Sequence, residues 1–230
     1  MTAKTMESVQ VLLAGTTYMY QLFQNVFGNE PSAELYQALM DETTKDVLEI
    51  FRTSGHPGFD KGIGHLLRLE NYFNGDTDKA LERLSSEYTH LLIGPNKLPA
   101  PPWESVYLSK EPLLFQESTL KVRQAYLKHN FIPAEYPHVA DDHLALELDF
   151  MANLSKMTEE ACAGQDNSRV LELLQEQKSF LTEHLLAWVP EFADRIQKSP
   201  TMYLYPAMAK MLNEFLHIHL EVIEEILSVI

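Results

Sequence analysis

The chain has 230 residues, of which 45% are hydrophobic and 22% are charged, with 9 glycines and 12 prolines. This composition excludes collagen, low-complexity disorder and a disulfide-stapled scaffold, and it fits one large domain or two small subdomains. The net charge of −15 argues against nucleic-acid binding, because such a field repels phosphate and attracts basic ligands.

Several features of the sequence predict a cytoplasmic protein. Cys162, the single cysteine, cannot form an internal disulfide, and its small, polar neighbours give no reason to expect a nucleophile. The first ten residues contain no basic segment followed by an apolar one, so no secretory signal is expected. No run approaches the roughly 18 apolar residues that a membrane-spanning helix needs.

Helical periodicity runs through the chain and predicts an all-α fold. Apolar side chains recur every three or four residues from Val9 to Phe27, and Gly28 then predicts a helix end. Further helices are expected near residues 31–52, 60–73, 77–92, 118–129, 141–160, 168–188 and 203–228. Pro206 is expected to begin or to kink the last of these. No segment alternates as a strand does, so we expect a compact bundle of about nine to eleven helices.

Glycine and proline predict two non-helical segments. The stretch 53–65 contains four glycines and one proline and is expected to be a connector, without the motif of a phosphate-binding loop. Four prolines lie within 95–102 and make that segment extended and stiff. It is interpreted either as a rigid linker between subdomains 1–94 and 103–230 of a single domain, or as the wall of a binding groove that ends at Trp103.

The segment 136–154 is the richest candidate for a functional site. Asp141 is expected to be the N-cap of a helix, with Asp142 in its first turn. On a helical wheel Asp142 lies on a polar arc, better placed than Glu147 to meet an arriving cation. His143 and Glu147 lie one turn apart in the apolar arc. Burying either group unpaired costs free energy, so the two form either a hydrogen-bonded core pair or a polar site that opens into a groove.

Glu-x-x-His pairs, which helical bundles use to hold metals, also occur in the chain. They are Glu87 with His90, Glu135 with His138, and Glu214 with His217. His90 and His217 are expected to project away from the apolar stripes of their helices, and Pro137 breaks any helix through the remaining pair. We therefore predict no metal site, no cofactor and no catalytic residue.

Three segments carry a resemblance to a known family. They are YTHLLIGPNKLPAPPWESVYL (88–108), LLFQESTLKVRQAY (113–126) and DDHLALELDFMANL (141–154). In order and spacing they resemble the TorD/DmsD/NarJ family of molybdoenzyme maturation chaperones, and in particular its TorD/DmsD branch. The resemblance implies a cytoplasmic, non-enzymatic helical protein. Such a protein binds the twin-arginine signal peptide of a molybdopterin oxidoreductase, of the dimethyl sulfoxide or trimethylamine N-oxide reductase type, and assists its maturation before export.

The resemblance also implies which residues bind the signal peptide. They are Pro101, Pro102 and Trp103 of a Pro-Pro-Trp turn, Tyr107 of the same motif, and Asp142 and His143 of an Asp-His pair, with Asp141 and Glu147 in support. The family's usual Glu-Pro before the acidic triplet is Val139-Ala140 here. The expected site therefore has one acidic group fewer.

The chemistry of a twin-arginine peptide agrees with these residue types. Carboxylates bind guanidinium groups through paired hydrogen bonds, Trp103 offers a face for stacking, and an apolar groove would take the apolar stretch that follows the arginines. The alternative interpretation is a helical metal-dependent hydrolase that uses His138, Asp142 and His143. A helical scaffold without a ligand is a third. We expect no nucleic-acid partner and no stable membrane insertion, and the protein is either a monomer or a domain-swapped dimer.

Overall fold

The protein is all-α, as predicted. The computed structural model describes residues 3–52, 54–73, 75–95, 97–109, 117–133, 139–201 and 203–229. The helices are α1 (Ala3–Gly28), α2 (Ala33–Met40), α3 (Glu42–Arg52), α4 (Pro57–Phe73), α5 (Thr77–Tyr88), α6 (Ser105–Leu108), α7 (Glu117–Lys128), α8 (Leu144–Ala163), α9 (Asn167–Phe180), α10 (Leu186–Lys198) and α11 (Tyr205–Val229). The described ranges contain no strand, and none of their helices has the length and apolar character needed to cross a membrane.

Helix packing brings distant parts of the chain together. Helix α1 packs along α8, and α11 packs on α4 and α10. Aromatic side chains fill the space between them: the ring of Phe215 lies 5.2 Å from that of Tyr20 and 5.2 Å from that of Phe51, measured between centroids. All three are buried. One hydrophobic core thus includes residues from both sides of the proline-rich segment.

The glycine-rich stretch 53–65 is mostly helical, so the prediction of a connector there was wrong. Helix α4 begins at Pro57, which suits a first helical turn. A Cβ atom on Gly58 would lie 2.1 Å from Oε1 of Glu214, and one on Gly62 would lie 2.0 Å from Cγ of Met211. These glycines therefore allow α4 to approach α11 closely, and they do not break the helix.

The predicted helix 168–188 continues further than expected. Helix α9 passes through a widened π-helical turn (Leu181–Leu185) into α10, which ends at Lys198 and contains Pro190. A similar π-helical turn, Thr89–Ile93, follows α5 and ends at Gly94. At the last helix, Pro206 lies in the first turn of α11, so it begins that helix and does not kink it.

The end of α1 touches the beginning of α8 where there is no room for a side chain at Gly28. A Cβ atom there would lie 2.6 Å from Cβ of Ala145, which the backbone of α8 holds in place. Gly64 lies inside α4, and an added Cβ would meet nothing closer than 3.8 Å.

We predict that Gly28→Ala lowers the free energy of unfolding by about 1–3 kcal/mol, because the two helices must separate to admit the methyl group. Gly64→Ala is the matched control. It should leave stability unchanged or raise it by up to about 1 kcal/mol, since alanine favours a helix interior. Urea unfolding of both variants measures the difference, and equal effects would contradict the close packing at Gly28.

Candidate functional site

The proline-rich segment pairs directly with the segment that precedes α8. The backbone N–H of Leu144 donates to the carbonyl oxygen of Pro102 (2.9 Å), and that of Glu104 donates to the carbonyl oxygen of Asp142 (3.0 Å). An antiparallel bridge joins Trp103 and His143 between these bonds. We call residues 102–105 and 142–144 the paired segments.

Asp142 is buried, so its predicted place on an exposed polar arc was wrong. Helix α8 begins only at Leu144. Asp142 therefore precedes the helix, and a helical wheel does not predict which way its side chain points. Its side chain is fully buried, and Oδ2 accepts a hydrogen bond of 2.9 Å from the backbone N–H of Ser105. Asp142 thus holds the first residue of α6 in place, and its carboxylate does not face solvent.

The N-cap of α8 is His143, and the expectation that Asp141 would cap it was also wrong. Nδ1 of His143 accepts the backbone N–H of Ala145 at 3.1 Å. Burial lowers the pKa of His143 to about 4, because it disfavours the charged imidazolium; the negative charge of Asp142 opposes this shift. The ring is therefore neutral at pH 7 with Nδ1 as the acceptor.

Trp103 and His143 form a half-buried aromatic pair. Their ring centroids are 5.3 Å apart, and the rings meet edge to face. Both side chains keep part of their surface open to solvent, as does Pro101, whereas Pro102 is buried. The paired segments therefore present an aromatic edge at the surface.

Asp141 already has an arginine as its partner. The side chain is buried, and its Oδ2 accepts a 2.7 Å hydrogen bond from Nε of Arg123 on α7. The hydroxyl of Tyr126 donates to the carbonyl oxygen of Asp141 at 2.9 Å. An internal guanidinium thus holds this carboxylate.

Glu147 is buried in the apolar arc, as predicted, but its partner is not His143. Oε2 of Glu147 accepts a 3.2 Å hydrogen bond from the indole N–H of Trp188. Burial raises the pKa of Glu147, and the neighbouring charges of Glu104 and Asp142 raise it further. The protonated carboxyl group is therefore favoured, which lowers the cost of burying it.

Sequence reasoning missed a second buried pair, Glu104 with His184. The two side chains are 1% and 5% exposed, and Nδ1 of His184 lies 2.9 Å from Oε2 of Glu104. Glu104 follows Trp103 directly, so its position in the motif could have identified it as a candidate site residue. His184 lies in the π-helical turn after α9, 80 residues further along the chain, and no local pattern in the sequence indicated the contact.

Tyr107 lies on α6 and is half-buried. Its ring is 5.1 Å from that of Trp188, between centroids, and the guanidinium carbon of Arg195 lies 4.3 Å from the Tyr107 ring centre. This distance is typical of a cation–π contact. One face of Tyr107 is therefore occupied by an internal arginine.

An apolar cleft of about 280 Å³ opens next to Asp141. It is lined by Arg123, Tyr126, Leu127, Phe131, Ile132, Pro133 and Asp141. Leu127 and Ile132 are 63% and 73% exposed. Large apolar side chains grouped at a surface are typical of an interaction site.

The residues of the alternative hydrolase do not assemble a metal centre within the described ranges. His138 lies outside them, as does the pair that it forms with Glu135, while Asp142 and His143 are engaged with backbone N–H groups. No group of three or more His, Cys, Asp or Glu side chains in the described part of the chain is arranged to bind a metal. His90 and His217 are exposed, as predicted.

We predict that His143 makes stability depend on pH. Its folded pKa of about 4 lies below the value of about 6.5 for an unfolded chain, so the stability that the neutral ring contributes is complete above pH 6.5. It is lost as the pH falls from 6.5 towards 4, by about 3 kcal/mol at most. His143→Asn keeps a capping acceptor and cannot titrate, so its free energy of unfolding should fall less over this range.

Urea unfolding at pH 7, 5.5 and 4.5 measures this difference, and carboxyl groups common to both proteins cancel from it. His90→Asn, which changes an exposed histidine, is the control and should follow the wild type. Parallel pH profiles for wild type and His143→Asn would show that the imidazole is not a neutral cap.

Comparison with known proteins identifies the family. The family described as nitrate reductase delta subunit matches residues 56–194. The chain is 30% identical over 205 residues to the chaperone protein TorD of Aliivibrio salmonicida, covering 83% of this chain and 93% of the relative. It is 27% identical over 188 residues to a Haemophilus influenzae protein named "Probable Tat proofreading chaperone DmsD", covering 80% and 84%.

These relatives are named as chaperones, and they match over most of the chain. The range that matches the family includes the proline-rich segment, the paired segments and α7 to α9. The predictions of family and of a non-enzymatic role are confirmed. The chain therefore belongs to the TorD/DmsD/NarJ family of molybdoenzyme maturation chaperones.

Proposed function

We propose that this chaperone works in the cytoplasm, where it binds the twin-arginine signal peptide of a molybdopterin oxidoreductase and assists maturation of that enzyme before export. Family membership and the names of the relatives support the maturation role. Peptide binding rests chiefly on one observation: the half-buried pair of Trp103 and His143, which keeps part of its surface open to solvent, lies on the segments that the family resemblance singled out.

The surface around Trp103 is held in one conformation before any peptide arrives. Prolines fix the backbone on one side, and the N-cap of α8 fixes His143 on the other. Backbone hydrogen bonds at Pro102 and Glu104 join the two sides. A surface ordered in advance loses little conformational entropy on binding, which favours affinity.

The apolar cleft beside Asp141 suits the apolar stretch of a signal peptide. Leu127 and Ile132 are largely exposed there, and burying apolar surface contributes about 25 cal/mol per Å². Asp141 lines this cleft and lies two residues before His143. One peptide could therefore contact the cleft and the aromatic pair together.

The burial of Asp142 changes the expected role of the acidic residues. Because Asp142 is fully buried against Ser105, we assign it to positioning Trp103, not to capturing a guanidinium. Asp141 and Glu147 likewise have partners inside the protein, Arg123 and Trp188. The net charge of −15 attracts a basic peptide from a distance, and the direct contact falls to other carboxylates.

The proposal is tested by fluorescence polarisation with a labelled twin-arginine leader from a dimethyl sulfoxide or trimethylamine N-oxide reductase. We expect saturable binding that weakens as salt rises from 0.1 to 1 M, since the Debye length falls from about 10 to about 3 Å. Replacing both arginines by lysine should weaken binding less than replacing them by glutamine, because lysine keeps the charge. No binding to any such leader would overturn the proposal.

We predict that Trp103→Ala weakens leader binding by about tenfold, because it removes a stacking face of roughly 1–2 kcal/mol. The melting temperature should fall only modestly, since the side chain is half-buried. Tyr72→Ala removes an aromatic that is 46% exposed on α4 and should leave affinity unchanged. A large loss of stability with normal affinity would instead make Trp103 a core residue.

We predict that Leu127→Ser with Ile132→Ser weakens leader binding at least fivefold without changing stability by more than about 0.5 kcal/mol, because both side chains are exposed in the free protein. Leu67→Ser, at a leucine 48% exposed on α4, is the control. Affinities equal to that of the control would exclude the apolar cleft from the binding surface.

A further inference from the structure

A second cleft, of about 430 Å³, lies between α1 and α2 and is not part of the site described above. We call it the α1–α2 cleft. Apolar, amide and carboxylate side chains line it, namely Leu22, Leu35 and Ala38; Gln21, Asn25 and Asn29; and Glu30 and Glu34; with Tyr18 and Ser32 completing the lining.

The amides form a row along one face of α1 that extends to the residue after its end. Gln21, Asn25 and Asn29 are spaced by four residues and are all exposed. Nδ2 of Asn29 donates to Oδ1 of Asn25 (3.2 Å), and Nδ2 of Asn25 donates to the carbonyl oxygen of Gln21 (3.0 Å). The row extends over about 12 Å of helix, the length of three to four residues of extended peptide.

Side-chain amides match the hydrogen-bonding groups of a peptide backbone. Each carries a carbonyl acceptor and an NH₂ donor, so a row of them can bind successive N–H and C=O groups of an extended chain. The amides are exposed, which means that a peptide can replace their local bonds without opening the core. The apolar floor provided by Leu22, Leu35 and Ala38 would receive one of the peptide's side chains.

Two carboxylates give the cleft a negative end. Glu30 and Glu34 are exposed, and no Lys or Arg is among the residues that line the cleft. The pKa of Glu34 is lowered, because its carboxylate accepts hydrogen bonds from its own backbone N–H and from Ser32. The end of the cleft is therefore anionic at neutral pH, and it complements a cation.

The end of α1, beside the cleft, contacts the start of α8. Gly28, the last residue of α1, precedes Asn29 and packs against Ala145, two residues beyond His143. This contact joins the end of α1 that borders the cleft to the helix that begins directly after His143.

We infer that the α1–α2 cleft binds the arginine-bearing part of the signal peptide in an extended conformation, with its backbone on the amide row and its guanidinium groups on Glu30 and Glu34. This inference rests on the proposed function and identifies the carboxylates that replace Asp142 as the arginine contact. Arginine suits the site better than lysine, because its guanidinium binds a carboxylate through two hydrogen bonds.

The test compares two double variants of the full chain with the labelled twin-arginine leader. Glu30→Gln with Glu34→Gln should weaken binding about tenfold, or about 1.4 kcal/mol. Glu82→Gln with Glu225→Gln removes two exposed glutamates on α5 and α11 and should change affinity less than twofold. Both variants lose the same charge, so long-range attraction is matched.

A leader with glutamine in place of both arginines completes a double-mutant cycle. Replacing the leader's arginines should cost much affinity for the wild-type protein. It should cost little for Glu30→Gln/Glu34→Gln, because that variant already lacks the carboxylates that bind the arginines. If the wild type binds the leader and the cycle gives no coupling, the inference is wrong while the proposed function stands. If the wild type binds no twin-arginine leader, the proposed function fails first.

The amide row has its own variant, Asn25→Leu with Asn29→Leu, which keeps the charge of the cleft. We expect at least a fivefold loss of leader affinity, and no loss for Asn71→Leu at an exposed position of α4. Unchanged affinity for the Asn25/Asn29 variant would overturn the assignment of the peptide backbone to this row.

Discussion

The pairing of residues 102–105 with residues 142–144 is the constraint on which the site depends. Asp142 takes part twice: its carbonyl oxygen accepts the N–H of Glu104, and its carboxylate accepts the N–H of Ser105. These bonds join two motifs separated by almost forty residues of sequence. Without them the proline-rich segment would have no fixed position relative to α8, and Trp103 would have no fixed position relative to His143.

Buried acids support this pairing at an energetic cost. Glu104, Asp142 and Glu147 are all buried, and burial, reinforced by the charges of Glu104 and Asp142, raises the pKa of Glu147. The cost of burying these acids is reduced by their partners: Glu104 pairs with His184, and Glu147 accepts a hydrogen bond from the indole N–H of Trp188. A fully apolar core would avoid this cost. The polar groups instead join α6, α8 and the turn before α10 to one another. These buried contacts fix the position of Trp103 and His143 at the surface.

Sequence reasoning located the helices because apolar periodicity reports which face of a helix is buried. It failed where a residue's role depends on a partner in another element. Two glycines of α4 leave room for Met211 and Glu214 of α11. No local pattern in the sequence reveals this contact. Asp141 looked like an N-cap because aspartate prefers that position, yet it binds Arg123 of α7 and leaves the cap to His143.

The same distinction applies to the site. The family resemblance implied that Trp103 and His143 both bind the peptide, but it did not predict that their rings are in contact. A helical wheel assumes a helix start, and moving that start from Asp141 to Leu144 turned Asp142 from a surface carboxylate into a buried one. The α1–α2 cleft could not be foreseen, because its residues come from α1, from the turn after Gly28 and from α2. Only the folded chain brings them to one surface.

The central claim is that the signal peptide binds at the Trp103–His143 pair, and ¹⁹F NMR of protein labelled with 5-fluorotryptophan tests it most directly. The chain has two tryptophans, half-buried Trp103 and fully buried Trp188, and Trp103→Phe assigns their resonances. Titration with a twin-arginine leader should shift the Trp103 resonance progressively and leave that of Trp188 nearly unchanged. A leader that binds by polarisation while the Trp103 resonance stays in place would contradict the account.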